Sequence, residues 1–374
     1  MSRIRFLRMR IPYAEFSTTV SPAIERSVEE RKAPSTMVLD FFPEDSITVG
    51  YLEDPHKCLD LDFCREAGIL VRRRRNTGGA ILGGRGSAFL VLCLDTREGW
   101  VPMKSLEEGF TRSLTAMAEA MVSTWGLEAR WRPLNDVEVH GRKIVASSAR
   151  LEEDILTLRL VVNVCPVDCG MLSRAMRIPP EKIKDKAVKS PAQRVSSLEQ
   201  ELGRKLEEQE LLRLVRTAVA RMLGEDVELV EEGLSAVEER YAREARRLMC
   251  SEQWFWGRSE AWRQRGVPSG ATRLEGIHKA PAGLVRATLW VKDKTVLEAL
   301  VTGDFHAKPL DVVEKLEASL KGGEAQMESL APRVRGVLLT PGVELPGMDL
   351  DDILEALRRA LQGTPGPAES VGDG

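Results

Sequence analysis

The feature that most constrains the fold is the segment 72–80 (RRRRNTGGA), in which four consecutive arginines run directly into two glycines. An isolated arginine run is more often a solvated surface or a nucleic-acid patch. Here, however, residues 68–71 and 87–94 on either side are apolar and predict buried strands, which would fix the segment at the edge of a sheet. Glycines let the backbone approach a ligand, and guanidinium groups add positive charge. The segment therefore predicts an anion-binding loop.

A second segment, residues 135–145 (NDVEVHGRKIV), alternates apolar and polar residues on both sides of His140-Gly141. This pattern is typical of a β-hairpin and presents Lys143 on a strand. Taken alone, an ordinary surface turn with a solvated lysine explains the hairpin better. Taken together, the loop and the hairpin predict two sides of a phosphate clamp.

Charge and hydropathy exclude several classes of function. The formal net charge of −3 argues against a nucleic-acid binder of the electrostatic kind, so any positive site must be local. The chain is long enough for two domains. The best candidate for a membrane span, residues 155–165, is too short and is interrupted by Arg159. Residues 1–10 alternate basic and apolar side chains, which predicts a first strand rather than a secretory signal. We therefore expect a cytoplasmic protein.

The six cysteines are too few and too scattered to form a disulfide scaffold in a chain of this length. Cys165 and Cys169 stand close together, but no second cysteine pair or suitably spaced histidine completes a metal site. We therefore expect reduced thiols and no protein-held structural metal.

The periodicity of apolar residues predicts the main elements. Helices are expected at residues 22–32, with Ser21 as the N-cap, and at 104–125, 205–223, 236–249, 310–320 and 350–361. Strands are expected at 36–41, 155–164, 274–278, 283–292 and 295–302, with 155–164 pairing with the hairpin. Between residues 179 and 203, an exposed connection carries lysines that could approach an acidic partner, namely Lys182, Lys184, Lys186 and Lys189.

In this order, the loop and the hairpin resemble the motifs of the lipoate–protein ligase family, which is related to the biotin ligases. That family has an Arg-Arg-x-Ser/Thr-Gly-Gly-Gly loop followed by Asn-Asp-x-x-x-x-Gly-x-Lys. The corresponding residues here are Arg74 to Gly79 and Asn135-Asp136 to Gly141-Arg142-Lys143, followed by Ala146-Ser147-Ser148-Ala149-Arg150. The resemblance extends to 47–50 upstream and to 189–198 downstream, and it covers nearly the whole chain.

The resemblance implies an α+β fold with two domains and a tail. Residues 1–250 would form a mixed-sheet catalytic domain that makes an acyl-adenylate. Residues 251–362 would form a smaller α+β accessory domain that covers or uncovers the active site, and residues 363–374 a disordered tail. The implied reaction uses ATP and Mg²⁺ to attach lipoate, through lipoyl-adenylate, to a lysine of a lipoyl-carrier protein. The expected carriers are a 2-oxoacid dehydrogenase E2 domain or a glycine-cleavage carrier protein, and neither nucleic acid nor a membrane is expected as a partner.

The resemblance also assigns the site residues. Lys143 would hold the acyl carbonyl and the α-phosphate together, as a compact point charge can. The ATP and adenylate contacts would come from Arg74, Arg75, Asn135 and Asp136, where the arginines contact phosphate or brace the loop and Asn135 and Asp136 orient the nucleotide or a magnesium ion. The acyl chain would be bound by Thr77, Gly78, Gly79 and Ala80.

The sequence departs from the family pattern at two places. Ala80 stands where the family has a third glycine, and Gly83-Gly84-Arg85-Gly86 stands where a His-Asp pair is usual. A contact on the ligand side is therefore expected to be missing. A different acyl substrate, a divergent subgroup and weakened catalysis all remain open, and the specificity among lipoate, octanoate and biotin is open as well.

Two other functions fit parts of the sequence. An octanoyl or lipoyl transferase would need a cysteine nucleophile, expected just before the hairpin, but residues 131–134 contain none and Cys165 and Cys169 follow the next strand. A binding protein that has lost its chemistry would explain the altered loop at 80–86. Such a protein would have less need of Lys143 at a reacting centre.

Overall fold

The computed structural model describes residues 2–133, 135–177 and 195–363. The predicted lysines at 182–189 and residues 364–374 of the predicted tail lie outside this range. In chain order the strands are β1 (Ser2–Met9), β2 (Thr36–Phe41), β3 (Ser46–Val49), β4 (Leu70–Arg73), β5 (Ile81–Gly83), β6 (Ala88–Asp95), β7 (Ala129–Arg132), β8 (Asp136–Val139), β9 (Arg142–Glu152), β10 (Ile155–Val162), β11 (Val227–Glu231), β12 (Thr272–Ala280), β13 (Gly283–Lys292) and β14 (Thr295–Gly303).

A π-helix (Phe16–Val20) joins α1 to α2. The α-helices are α1 (Tyr13–Glu15), α2 (Ser21–Glu29), α3 (Pro55–Cys58), α4 (Leu61–Glu66), α5 (Leu106–Trp125), α6 (Cys169–Ala175), α7 (Leu198–Leu202), α8 (Glu208–Leu223), α9 (Ala236–Met249), α10 (Glu252–Trp256), α11 (Glu260–Gln264), α12 (Val312–Leu320), α13 (Met327–Leu338) and α14 (Leu350–Gln362).

The largest sheet has eight strands in the order β11-β1-β2-β6-β10-β9-β8-β7. Strands β11, β1 and β2 run parallel, and the remaining neighbours are antiparallel, so the sheet is mixed. The central strands β6 and β10 are almost entirely buried because helices cover both faces. Helices α5 and α8 pack over one face, while the π-helix, α2 and α9 lie over the other. These features confirm the predicted α+β fold with a mixed sheet.

A small sheet in the order β4-β3-β5 holds the arginine–glycine segment. The strands predicted on either side of this segment exist, but they belong to different sheets, since β4 lies in the small sheet and β6 in the large one. The loop itself joins β4 to β5, and both of these strands pair with β3 in the small sheet. The sequence did not reveal β5, a strand of only three residues, so the next strand after the loop was taken to be the one at β6.

The C-terminal part forms a separate core in which α12, α13 and α14 pack against the sheet β12-β13-β14. One fully buried member of this core, Leu52, comes from the segment after β3. Helix α13 was missed in the sequence because Pro332 and Gly336 interrupt its pattern. Within the described ranges, none of the helices is long and apolar enough to cross a membrane.

Candidate active site

The glycine loop (residues 76–80) is held against the small sheet by a close approach at Gly50. A Cβ atom on Gly50 would lie 1.7 Å from the carbonyl oxygen of Gly78, so only glycine fits there. Gly78 itself has a φ of 88°, which favours glycine. The two glycines thus set the height of the loop above β3.

Arg74 braces the glycine loop from below. Its Nη2 atom donates to the carbonyl oxygens of Thr77 (2.9 Å) and Gly79 (2.7 Å), and Nη1 donates to the carbonyl oxygen of Thr48 at 3.2 Å. Burial lowers the pKa of the Arg74 guanidinium. Of the two roles predicted for Arg74, bracing the loop is directly visible in these hydrogen bonds.

Arg73, which the sequence analysis left without a role, is completely buried. Its guanidinium donates to the carbonyl oxygens of Gly50, Tyr51 and Glu53, and also to that of Phe255 on helix α10. In return, the indole of Trp254 donates to the carbonyl oxygen of Arg73 at 2.9 Å. The aromatic segment around Trp254 therefore packs against the base of the loop.

A cavity of about 660 Å³ opens beside the loop. Its wall contains Arg74, Arg75 and Asn76 from the loop region and residues 146–148 and Arg150 from β9. Helices α2 and α9 close its other side. The start of the loop and the strand segment that follows the hairpin thus line one cavity, although they are far apart in the chain.

The hairpin forms as predicted, with His140 and Gly141 at its turn. The Lys143 Nζ atom lies 2.9 Å from Oδ2 of Asp136. Asn135 and Ser147 are joined by reciprocal hydrogen bonds, and Ser147 lies on the cavity wall. Among the described residues, Asn135, Asp136 and Lys143 adjoin the cavity without lining it.

A segment of the C-terminal part rests on the glycine loop. Nδ1 of His306 lies 2.8 Å from the hydroxyl of Thr77, and the Asp304 side chain lies beside Gly79. Gly79 and Ala80 share a smaller cavity of about 170 Å³ with Gly303 and Asp304. All four predicted acyl-binding residues therefore face the C-terminal part, since His306 also lies beside Gly78.

The two cysteines considered as nucleophiles, Cys165 and Cys169, are not activated. Burial raises the pKa values of Cys165 and Cys169, and it raises those of Cys58, Cys64 and Cys93 as well. A catalytic thiol needs the opposite shift, since the thiolate is the reactive form. The structure therefore gives no support to the transferase alternative.

The inner wall of the cavity was not predicted from the sequence. There, Glu25 and Arg159 lie close to Arg150. The signal for Arg159 was present, because it interrupts an otherwise apolar strand. Glu25 could not be singled out in this way, because it lies on a helix with other charged residues. Ser21, predicted to be the N-cap of this helix, instead lies within continuous helix and donates a hydrogen bond to Glu25.

Comparison with known families identifies the chain. Residues 21–220, more than half of it, match the model of the lipoyl protein ligase A/B catalytic domain. The chain belongs to the lipoyl protein ligase A/B family. The match contains the glycine loop, the hairpin and most of the cavity wall, so the resemblance seen in the motifs is confirmed.

The lipoyl protein ligase A/B relatives include lipoate-protein ligase A subunit 1 of Thermoplasma acidophilum, 27% identical over 266 residues, which are 67% of this chain and 92% of the relative. Among solved structures, a bi-partite lipoate protein ligase with its E2 lipoyl domain from the same organism has a TM-score of 0.56 at 24% identity, covering 69% of this chain and 97% of that chain.

Two further structures share the fold. P. falciparum LipL1 in complex with lipoate has a TM-score of 0.69 at 12% identity and covers 97% of this chain and 100% of that chain. A lipoate-protein ligase A bound with ATP has a TM-score of 0.54 at 18% identity and covers 68% of this chain and 97% of that one. The fold similarity to LipL1 thus spans both parts of the chain.

Proposed function

We infer that this protein is an ATP-dependent lipoate–protein ligase that joins lipoate, through lipoyl-adenylate, to a lysine of a lipoyl-carrier protein. The observation that supports this most is that the arginine–glycine loop and the strand after Lys143 line one cavity. Family membership supports the reaction class, and the cavity supports the proposed location of the site in the chain. The carrier would be a 2-oxoacid dehydrogenase E2 domain or a glycine-cleavage carrier protein, and the reaction would take place in the cytoplasm.

The first step joins the lipoate carboxylate to the α-phosphorus of ATP and releases pyrophosphate. The second step transfers the acyl group to the amine of the carrier lysine and releases AMP. Neither step needs an enzyme nucleophile, so the protein contributes positioning and positive charge where negative charge gathers. The absence of an enzyme nucleophile from this reaction agrees with the raised pKa values of Cys165 and Cys169.

Lys143 is the proposed catalytic residue. In the structure its ammonium group pairs with Asp136, the one carboxylate that contacts it among the described residues, and the Lys143 side chain is 37% exposed. A flexible ammonium group in this position can turn from Asp136 to the acyl carbonyl oxygen and the α-phosphate, whose negative charge then compensates it. Arg75, which is exposed on the cavity wall, is proposed to contact phosphate, while Arg74 holds the loop.

Asp136 also offers a ligand for magnesium. Its Oδ1 atom is buried and has no hydrogen-bond partner among the described residues, while Oδ2 faces Lys143. A magnesium ion at an ATP site is commonly held by one or two carboxylates and the substrate phosphates. When bound, the ion would neutralise phosphate charge. Asn135 would orient the strand through its bonds to Ser147.

The proposed division of the chain is a catalytic domain at 1–250 and an accessory domain at 251–362. The bi-partite organisation of the Thermoplasma ligase supports a functional division into two parts. The contact between His306 and Thr77 supports the proposal that the accessory domain covers the glycine loop. Opening of this contact would expose the loop to the carrier.

The test is lipoate-dependent exchange of pyrophosphate into ATP, followed by detection of the adenylate by mass. Lys143→Ala is expected to slow the exchange by about 100- to 1,000-fold, the usual effect of removing one group that stabilises transition-state charge. Lys315→Ala is the matched control, since this lysine also pairs with an aspartate, Asp311 at 2.8 Å, but on the accessory domain surface. Full exchange in folded Lys143→Ala would refute the assignment. A wild-type protein that binds lipoate but supports no exchange would be a non-catalytic relative.

A further inference from the structure

Arg159 occupies an unusual position for a charged residue. Strand β10 is in the interior of the large sheet, and Arg159 pairs with Val91 of β6 and Ser148 of β9. Paired residues project on the same face, which here is mostly apolar and includes Phe89 and Val161. Only 9% of Arg159 is exposed. A guanidinium buried this far must be compensated by partners.

The partners of Arg159 compensate it only in part. Its Nη2 atom pairs with Glu25, whose other oxygen lies 2.5 Å from Nη2 of Arg150. Ser21 also donates to Glu25 at 2.7 Å. Although burial alone would raise the pKa of Glu25, the two guanidinium groups lower it to about 2. The Glu25 carboxylate thus pairs with two cations, the buried Arg159 and the partly exposed Arg150, and Arg150 also pairs with the exposed Glu152.

Two donors of this cluster remain unused. Nη1 of Arg159 and Nε of Arg150 are buried and have no acceptor among the described residues. Arg159, Arg150 and Glu25 all line the 660 Å³ cavity next to Ser148 and Val161. A buried donor without an acceptor is unfavourable, so an acceptor supplied by the occupant of the cavity would stabilise the complex. The cluster therefore favours an occupant that places a hydrogen-bond acceptor beside these two donors.

The position of the cluster shows which part of a substrate it would meet. Ser148, the neighbour of Arg159, follows Lys143 by five residues on β9, a separation of ~17 Å at ~3.3 Å per residue. With its Nη2 atom held by Glu25, Arg159 lies further along β9 than the carbonyl proposed to be held by Lys143. The extended lysine side chain followed by an eight-carbon acyl chain would bring the distal end of the chain to the cluster.

We propose that Arg159 is a specificity-determining residue that selects acyl chains carrying a lone-pair acceptor, sulfur or oxygen, at the distal end over chains ending in a methyl group. This inference rests on the proposed ligase function. The dithiolane of lipoate offers two polarisable sulfur atoms as weak acceptors. A methyl end would leave the Arg159 donor unpaired, and a site that must leave a donor unpaired discriminates against such a ligand. Glu25 positions the guanidinium by holding its other arm.

The experiment measures kcat/KM for adenylation by the full chain with lipoate, octanoate and 8-hydroxyoctanoate. The wild type is expected to prefer lipoate and 8-hydroxyoctanoate over octanoate by about tenfold, in line with one unmade buried hydrogen bond. In Arg159→Met this preference should disappear, so that the kcat/KM values for the three acids become about equal. Arg159→Lys is the second variant, because it keeps an ion pair with Glu25 and so retains the fold but loses the second guanidinium arm. The preference should fall there too.

Three results would overturn the proposal. Equal loss of activity with all three acids, at an unchanged preference, would make Arg159 a purely structural residue. A raised KM for ATP at an unchanged preference would assign it to the phosphates. A wild type that does not distinguish octanoate from 8-hydroxyoctanoate would show that the cluster does not meet the distal end. Absence of adenylation by the wild type with every acid would instead refute the ligase function itself.

Discussion

Replacing Arg73 with methionine tests whether the base of the glycine loop is held by one buried guanidinium. Arg73 is fully buried and donates to four backbone carbonyl oxygens, those of Gly50, Tyr51, Glu53 and Phe255. Burial, with a smaller contribution from the nearby Arg258 charge, lowers its pKa to about 10, so it remains charged at neutral pH. Methionine is unbranched and can fill the space, but it donates no hydrogen bond.

The magnitude follows from the carbonyl groups left behind. At about 1 kcal/mol for each of the four acceptors, the loss is about 4 kcal/mol, and relief of the buried charge offsets a part of it. With about 2–4 °C of melting temperature per kcal/mol in a domain of this size, the apparent melting temperature should fall by about 10 °C.

The measurement is thermal unfolding followed by circular dichroism, with Arg75→Met as the matched control. Arg75 is exposed only two positions further along the chain, so its loss should change the free energy of unfolding by less than about 0.5 kcal/mol. Arg75→Met should lower adenylation instead. If Arg73→Met melts within about 2 °C of the wild type, a shift that corresponds to less than about 1 kcal/mol, the carbonyl contacts do not stabilise the protein.

Two further predictions concern the glycine loop. Gly50→Ala should lower kcat/KM by about 100-fold, because the added Cβ would meet the Gly78 carbonyl oxygen and displace the loop. Gly99→Ala is the control and should leave activity unchanged, since a Cβ on Gly99 would have nothing within 4 Å. Equal activities of the two variants would contradict this prediction. Burial and the Arg74 charge lower the pKa of His306 below its usual 6.5. The contact between His306 and the loop should therefore be complete above pH 6.5 and be lost as the pH falls through the lowered pKa. Hydrogen-exchange protection of the loop should therefore fall as the pH is lowered below 6.5, but show no pH dependence in His306→Ala.

The sequence predicted much of the fold because most elements follow simple periodicities. The hairpin with Lys143, the helix α5 and the C-terminal strand β13 came from local patterns that the structure retains. Ser21 was misjudged because the helix does not begin there, and a preceding π-helix makes the chain continuous. A capping residue can be recognised only where the helix actually starts.

The site was less predictable, because its partners come from distant parts of the chain. The arginine run was recognised as a unit, yet burial separates its members, with Arg73 and Arg74 inside and Arg75 exposed. Local sequence does not encode which arginine is covered by α10. The pairing of Thr77 with His306 joins residues from opposite parts of the chain, and no periodicity could reveal it.

The burial of Leu52 makes the C-terminal core discontinuous along the chain. This leucine emerges from the ribosome long before α14, whose residues complete the same apolar interior. During synthesis the N-terminal part therefore carries an apolar side chain whose buried neighbours in this core, at residues 280–360, are made only later. Folding of the large sheet alone thus leaves Leu52 without the core that surrounds it.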